Sequence, residues 1–121
     1  MQRLHQVGAA VKDFDATERF YQEVLGAQYL ARFEPPGLLF FQFAGVRLVF
    51  EAGNKPANLY FWVDDIDAEY ARLIAAGVEF AAPPAIIHKD DLGTFGPVGN
   101  AEWMAFFSDP GGNTLALATQ K

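Results

Sequence analysis

The sequence predicts an α+β fold in which one domain, residues 1–121, is built from two βαβββ modules. Three observations predict it. The segment "VKDFDA" at 11–16 returns in similar form as "VDDIDA" at 63–68. After each copy, apolar residues recur at helical spacing and are followed by a glycine. Beyond each glycine the apolar residues recur at every second position, which is typical of half-buried strands.

The first module covers about residues 1–52 and begins with a short strand. Asp15 is expected to cap the helix that follows, because its carboxylate can accept from free N–H groups of the first turn. Helix-spaced apolar residues run from Phe20 to Leu25, and Gly26 ends the helix where a left-handed residue is favoured. Three strands are then predicted, in "QYLARFE", "LLFFQFA" and "VRLVFE".

The second module covers about residues 57–121 and follows the linker "EAGNKPAN". Asp67 is the expected cap of its helix and Gly77 the expected end. Its strands are predicted in "VEFAAPP", "EWMAFFS" and "TLALA", the last two joined by the turn "DPGGN". Residues 83–100 are rich in Gly, Pro and Asp and are expected to form a long loop.

Composition excludes several classes of protein. There is no cysteine, which rules out disulfides, thiolate zinc sites and a cysteine nucleophile. A net charge of −6 disfavours nucleic acid as a partner. No apolar run is long enough to predict a membrane span, and "MQRLHQVGAAVKDFD" lacks the features of a signal peptide. We therefore expect a cytoplasmic protein.

The duplicated modules, with "FYQEVLG", "FWVDDIDAEYARLIAAGVEF" and "FFSDPGGNTLALA" in this order, resemble the vicinal oxygen chelate superfamily. This superfamily includes glyoxalase I, extradiol dioxygenases and bleomycin resistance proteins. The resemblance covers essentially the whole chain. It implies mainly antiparallel sheets that curl into a cup, and a homodimer. In the enzymes it also implies a divalent metal held by one residue from each of four strands.

The residues at the four metal-ligand positions do not suit a metal. Strand alternation and the family pattern place Gln6, Val49, Asn58 and Ala116 there, where enzymes of the superfamily carry histidine, glutamine or glutamate. Divalent metals need imidazole or carboxylate ligands in adequate number. Two amides and two hydrocarbons do not supply them. We therefore expect no metal and no other cofactor.

These four residues, together with others of the same strands, are instead candidates for binding a small molecule. Alternation is expected to turn Tyr60, Trp62 and Trp103 toward the cup, with Ala105 and Phe107 on the same strand as Trp103. Aromatic faces suit flat, apolar or cationic ligands. Arg47 and Glu51 are expected to orient a polar group of the ligand. The leading hypothesis is a metal-free binding protein similar to the bleomycin resistance proteins. The aromatic residues are equally compatible with plain packing of the sheets or a subunit contact.

A second hypothesis is a lyase, isomerase or dioxygenase of the same superfamily. Such an enzyme would need a displaced metal site or a metal-free acid–base mechanism. Glu51 and His88 are the candidate catalytic residues for that mechanism, because each can exchange a proton with a bound substrate. His88 and its polar neighbours could also lie in a lid or in a solvated loop.

Overall fold

Eight strands and two helices follow one another in the order that the sequence repeat predicts. The computed structural model describes all 121 residues and shows two compact units. Unit 1 comprises Met1–Ala57 and Asp109–Asn113, and unit 2 comprises Asn58–Ser108 and Thr114–Lys121. Each unit contains one four-stranded mixed sheet and one helical segment. The predicted α+β class is confirmed.

Unit 1 contains the first βαβββ set. Its sheet has the strand order β1-β4-β3-β2, with β1 and β4 parallel and the other pairs antiparallel. The helix α1 continues as a π-helical turn, closed by a bond from the Leu25 N–H to the Phe20 carbonyl. The bounds are β1 Gln6–Ala9, α1 Phe14–Arg19 with its π turn Phe20–Val24, β2 Gln28–Phe33, β3 Leu38–Phe43 and β4 Val46–Glu51.

Unit 2 repeats this arrangement. Its sheet has the order β5-β8-β7-β6, again with one parallel pair, β5 and β8. The bounds are β5 Asn58–Trp62, α2 Ile66–Ala75, β6 Ala85–Lys89, β7 Ala101–Ser108 and β8 Thr114–Gln120. Neither helix has the length and apolar character needed to cross a membrane.

The helix caps differ from those predicted. Asp13 and Asp65 cap α1 and α2, each through a side-chain oxygen that accepts from the backbone N–H three residues on. Asp15 and Asp67 instead lie in the first turns. The cap precedes the first helical residue because only its extended backbone lets the carboxylate turn back to the helix. Gly26 and Gly77 both have positive φ, as predicted for helix-ending glycines.

The sixth strand also lies elsewhere than predicted. "VEFAAPP" forms no regular strand, only an isolated bridge between Phe80 and Phe107. Pro83 and Pro84 lack the N–H that a ladder needs, so β6 begins just after them. The expected loop over residues 83–100 therefore contains a strand at the edge of the sheet.

The rest of that segment, residues 91–99, folds around the buried carboxylate of Asp90. This side chain accepts backbone N–H bonds from Thr94, Phe95 and Gly96 at 2.7, 2.8 and 3.1 Å. Desolvation opposes ionisation, but these bonds and His88 outweigh it and lower the pKa of Asp90. Because this loop is tied to a buried charge, it is not a freely solvated segment.

One face of the unit 1 sheet is covered by α1 and its π turn. Tyr21 packs its ring against Phe41 and Phe50, with centroids 5.6 and 4.7 Å away. All three residues are fully buried, and so is Leu39 beside them. Alternation along β3 and β4 therefore leaves the neighbouring side chains, such as Phe40, on the other face.

The turn Asp109–Asn113 completes the core of unit 1, although it lies near the end of the chain. The amide oxygen of Asn113 accepts from the N–H groups of Ala10 and Ala57, and its nitrogen donates to the Ala10 carbonyl. Gly111 is required here, since a Cβ would come within 2.5 Å of that carbonyl oxygen. The "DPGGN" turn thus supplies buried hydrogen bonds as well as a change of direction.

Candidate functional site

Strand register defines which side chains share the face of the unit 1 sheet that the helix leaves uncovered, called here the open face. Gln6 pairs with Arg47, and Gly8 pairs with Val49. Phe40 of β3 pairs with Val49 as well. Directly paired residues project from the same side of a sheet, so these five residues belong to the open face.

A cavity of about 430 Å³ lies on the open face. Its walls come from β1, β2, β3 and β4, and most of the lining is apolar. The volume falls in the range of roughly 300–1,000 Å³ that is usual for small-molecule sites. The lining residues are Gln6, Leu30, Ala31, Phe33, Phe40 and Arg47.

The polar end of the cavity is a contact between Arg47 and Gln6. The Gln6 side-chain oxygen accepts from Nε and Nη2 of Arg47 at 3.1 and 2.8 Å. The guanidinium carbon also lies 5.7 Å from the centre of the Phe40 ring. Two bonds and a cation–π contact thus fix the orientation of the guanidinium at the cavity wall.

The structure brings together two of the four unit 1 residues predicted from the sequence. Gln6 and Arg47 line the cavity. Val49 is on the same face but is 93% buried, so little of it is available to a ligand. Glu51 pairs with Leu38 at the end of the sheet, is exposed and does not line the cavity.

Four lining residues were not among the sequence candidates: Leu30, Ala31, Phe33 and Phe40. Strand β2 has a bulge between Tyr29 and Ala31, which allows Leu30 and Ala31 to line the same cavity. No sequence pattern marks this bulge. Phe40 could have been found from Gln42, because residues two apart on a strand share a face and the polar side chain of Gln42 indicates the open one.

In unit 2 the predicted aromatic pair on β5 is exposed. Tyr60 and Trp62 have 58% and 59% of their surfaces accessible, whereas Phe61 between them is largely covered. Ala116 pairs with Tyr60 but is almost completely buried, and Asn58 is exposed at the start of the strand. The Trp62 indole N–H donates to the Asp64 carboxylate at 3.0 Å.

The face predicted for Trp103 is wrong. β7 pairs with β8 so that Trp103 is opposite Thr119, Ala105 is opposite Leu117 and Phe107 is opposite Leu115. These residues share the face on which α2 packs, not the face of Tyr60 and Trp62. Lys121 confirms this, since its ammonium group contacts both the Trp103 ring and Asp67 of α2.

The residue that does face Tyr60 from β7 is Phe106. The two residues flank Ala116, and their ring centres are 6.3 Å apart in an edge-to-face arrangement. The prediction failed because "EWMAFFS" is apolar on both faces, so alternation alone could not choose between them.

The four positions that correspond to metal ligands in the superfamily do not fit a metal ion. Val49 and Ala116 have hydrocarbon side chains and donate no lone pair. The carbonyl oxygen of Gln6 is already bonded to the Arg47 guanidinium, whose positive charge would oppose a cation. No group of three or more His, Asp or Glu residues is arranged to hold a metal ion.

The two candidate catalytic residues are neither buried nor hydrogen-bonded through their side chains. Glu51 and His88 are both exposed, and neither side chain forms a hydrogen bond with another residue. The His88 ring contacts Phe95 edge to face, at 5.8 Å between centres. Their catalytic role stays a prediction.

Solved structures share this fold over nearly the entire chain. Lactoylglutathione lyase from Agrobacterium tumefaciens is 18% identical, with a TM-score of 0.76, over 98% of this chain and 93% of its own. A glyoxalase/bleomycin resistance protein/dioxygenase superfamily member from Sphaerobacter thermophilus is 23% identical, with a TM-score of 0.74, over 98% and 97%. TnmS3, an antibiotic binding protein from Streptomyces sp. CB03234, is 25% identical, with a TM-score of 0.75, over 97% and 94%.

Sequence comparison identifies the family. Curated protein sequences give no significant match to this chain. The family profile described as Glyoxalase/Bleomycin resistance protein/Dioxygenase superfamily, however, matches residues 3–117. This span includes the first βαβββ set, the second set up to the middle of β8, and the turn that completes unit 1. The chain therefore belongs to the Glyoxalase/Bleomycin resistance protein/Dioxygenase superfamily.

Proposed function

We propose that this chain is a small-molecule-binding protein that holds an apolar or aromatic ligand on the open face of unit 1. The observation that carries the proposal is the cavity of about 430 Å³. Its walls include Leu30, Phe33 and Phe40, which would cover the apolar part of a ligand, while Gln6 and Arg47 would contact a polar group. Apolar walls with a few fixed polar groups are the usual design of such sites.

The comparison with TnmS3 supports binding as the activity. That protein binds an antibiotic, and it shares the fold and 25% of its residues with this chain. The poor fit of the superfamily's metal positions agrees with a role in which the ligand is held without a metal.

The exposed aromatic residues of unit 2 are a separate candidate surface for a ligand. Tyr60 and Trp62 present flat faces to solvent, and the Asp64 carboxylate lies next to the Trp62 ring. Such a surface favours an apolar, aromatic or cationic group. A Trp62→Ala variant is expected to reduce the rise in melting temperature given by a ligand that contacts this face, and an unchanged rise would show that Trp62 does not bind it.

The unit 1 cavity can be tested with a neutral fluorescent probe, N-phenyl-1-naphthylamine, whose emission rises in apolar surroundings. We expect saturable binding to the wild-type chain. An Ala31→Trp substitution should fill the cavity and weaken binding by about tenfold or more, since a buried aromatic ring would lose most of its apolar contact.

Ala85→Trp is the matched control, because Ala85 is exposed on the edge strand β6 of unit 2. It introduces the same side chain on an edge strand without touching the cavity, and it should bind the probe as the wild type does. Equal loss in both variants, or no saturable binding to the wild type, would contradict the proposal.

We also propose that the chain forms a homodimer, as the family resemblance implies, and that it is cytoplasmic. Light scattering coupled to size-exclusion chromatography checks the first statement, with a single species at twice the chain mass of 13.3 kDa expected. Fractionation of the cells that produce the protein checks the second.

A further inference from the structure

The cavity on the open face has one charged residue, Arg47. The five other lining residues are neutral, and four of them are apolar. The chain as a whole has a negative net charge of −6, so this local positive group has the opposite sign.

The charge of Arg47 is not neutralised by the protein. The ion pairs in the structure involve Arg32, Arg72 and Lys121, and no carboxylate pairs with Arg47. Its side-chain partner is the neutral amide of Gln6. A ligand in the cavity therefore meets a full positive charge next to apolar walls.

The contact with Gln6 uses the Nε–Nη2 edge of the Arg47 guanidinium and leaves the Nη1–Nη2 edge available. A guanidinium carries five N–H donors. Gln6 takes one from Nε and one from Nη2, so both donors of Nη1 and one of Nη2 have no partner in the protein. Donors on Nη1 and Nη2 point in parallel and match the two oxygens of a carboxylate.

We infer that the ligand of this cavity is a small aromatic carboxylate, which pairs with the Nη1–Nη2 edge of Arg47 and lays its ring against Phe40 and Phe33. The inference rests on the proposed function and adds to it the chemical class of the ligand. Gln6 is a positioning residue in this arrangement, since it holds the guanidinium without cancelling its charge.

The identity of residue 6 matters for this assignment. A glutamate there could make the same two contacts with Arg47 but would neutralise it. The amide of Gln6 holds the Arg47 guanidinium in the same orientation and leaves its positive charge in place. Recognition of an anion requires both.

The test compares two probes of nearly equal shape, 2-naphthoic acid and 2-naphthamide, by titration calorimetry at pH 7. The wild type is expected to prefer the acid by about tenfold to a hundredfold, the usual effect of a hydrogen-bonded charge pair. Affinity for the acid should fall as salt is added, whereas affinity for the amide should change little.

Variants separate charge recognition from simple packing. Arg47→Met should remove the preference, bringing the ratio of the two affinities to about one, while the amide still binds. Gln6→Glu should reduce the preference with Arg47 in place. Arg3→Met is the matched control: it removes the same charge from unit 1 at a residue that contacts the Gly45 carbonyl outside the cavity, and it should keep the preference.

The outcomes distinguish this inference from the proposed function. If both probes bind equally to the wild type, the cavity binds small molecules but not by their charge, and the inference is wrong. Binding of neither probe, together with no binding of N-phenyl-1-naphthylamine, would overturn the proposed function itself. Loss of preference in Arg3→Met as well would assign the effect to overall charge and contradict the role of Arg47.

Discussion

The hydroxyl of Tyr21 donates a 2.6 Å hydrogen bond to Oδ2 of Asp109, and both residues are buried in unit 1. The same carboxylate accepts from the backbone N–H groups of Gly111 and Asn113 and from the Asn113 amide nitrogen. A tyrosine of the helical segment is thereby joined to a turn 88 residues further along the chain. Four stability predictions follow from this bond and from two other buried polar groups.

Tyr21→Phe should lower the free energy of unfolding by about 1.5–3 kcal/mol, because it removes a buried hydrogen bond to a charged group without changing the ring packing. Urea denaturation followed by circular dichroism measures the change. Tyr60→Phe is the matched control, since that hydroxyl is on an exposed residue, and it should be nearly neutral. Equal effects of the two substitutions would contradict the importance of the Asp109 bond.

The contribution of Tyr21 should also depend on pH. The pKa of this phenol is raised above its usual value of 10.0. Burial is the main cause, and the charge and the hydrogen bond of Asp109 add to it. The contribution is therefore complete below about pH 10 and is lost as pH rises further, because the unfolded chain then releases a proton that the folded chain keeps.

The measurement is the difference in unfolding free energy between the wild type and Tyr21→Phe at several pH values. Above pH 10, this difference in unfolding free energy is expected to fall by about 1.4 kcal/mol per pH unit. The other three tyrosines are common to both proteins and cancel. A difference that stays constant from pH 8 to pH 11 would rule out the raised pKa.

Asp90→Asn should loosen the segment 91–99. The amide retains one oxygen as an acceptor but loses the charge that holds the N–H groups of Thr94, Phe95 and Gly96. Limited proteolysis at pH 7 should cut this segment faster in the variant than in the wild type.

The same comparison at low pH provides the control. The pKa of Asp90 is lowered, so the stabilisation is present above the pKa of an unfolded aspartate, about 3.9, and is lost as pH falls through the folded value. With an acid-active protease, the cleavage rates of the wild type and the variant should therefore become more similar as pH falls. Equal cleavage at pH 7 would contradict a structural role for this carboxylate.

Thr17→Val should stabilise unit 1. The Thr17 hydroxyl is completely buried on α1 and has no hydrogen-bond partner. Valine has the same shape without the polar group, so we expect a gain of about 1 kcal/mol in the free energy of unfolding. Thr17→Ala is the contrasting variant, because it leaves a cavity and should lower the free energy of unfolding. If Thr17→Val also lowered the free energy of unfolding, the Thr17 hydroxyl would have a hydrogen-bond partner in solution and the prediction would be wrong.

The sequence alone was sufficient to predict the two βαβββ sets because several local signals agree. The repeated "VKDFDA" and "VDDIDA" segments mark the helix starts, and Gly26 and Gly77 mark the ends. Alternation in β1 and β5 correctly separated covered from exposed residues, as with Phe61 and Trp62. These features depend on residues close together in the chain.

The errors about the candidate site arose where strand pairing decides the outcome. Trp103 was assigned to the wrong face because β7 has large apolar residues on both sides. The pairing of Ser108 with Thr114 would have corrected it, since residues at equal distances from a hairpin turn share a face. No sequence signal of this kind indicates the bulge beside Leu30, and the positions of Leu30 and Ala31 in the cavity lining depend on it.

The membership of Asp109–Asn113 in unit 1 has a consequence for the order of events during synthesis. A ribosome that has made only the first half of the chain has produced Tyr21 and the backbone of Ala10, but none of their partners in the turn. Unit 1 can collapse around Phe41 and Phe50 at that stage, yet its hydrogen bonds to the turn must wait until residues 109–113 have been made. Unit 1 is thus completed only after strands β5, β6 and β7 of unit 2 have been synthesised.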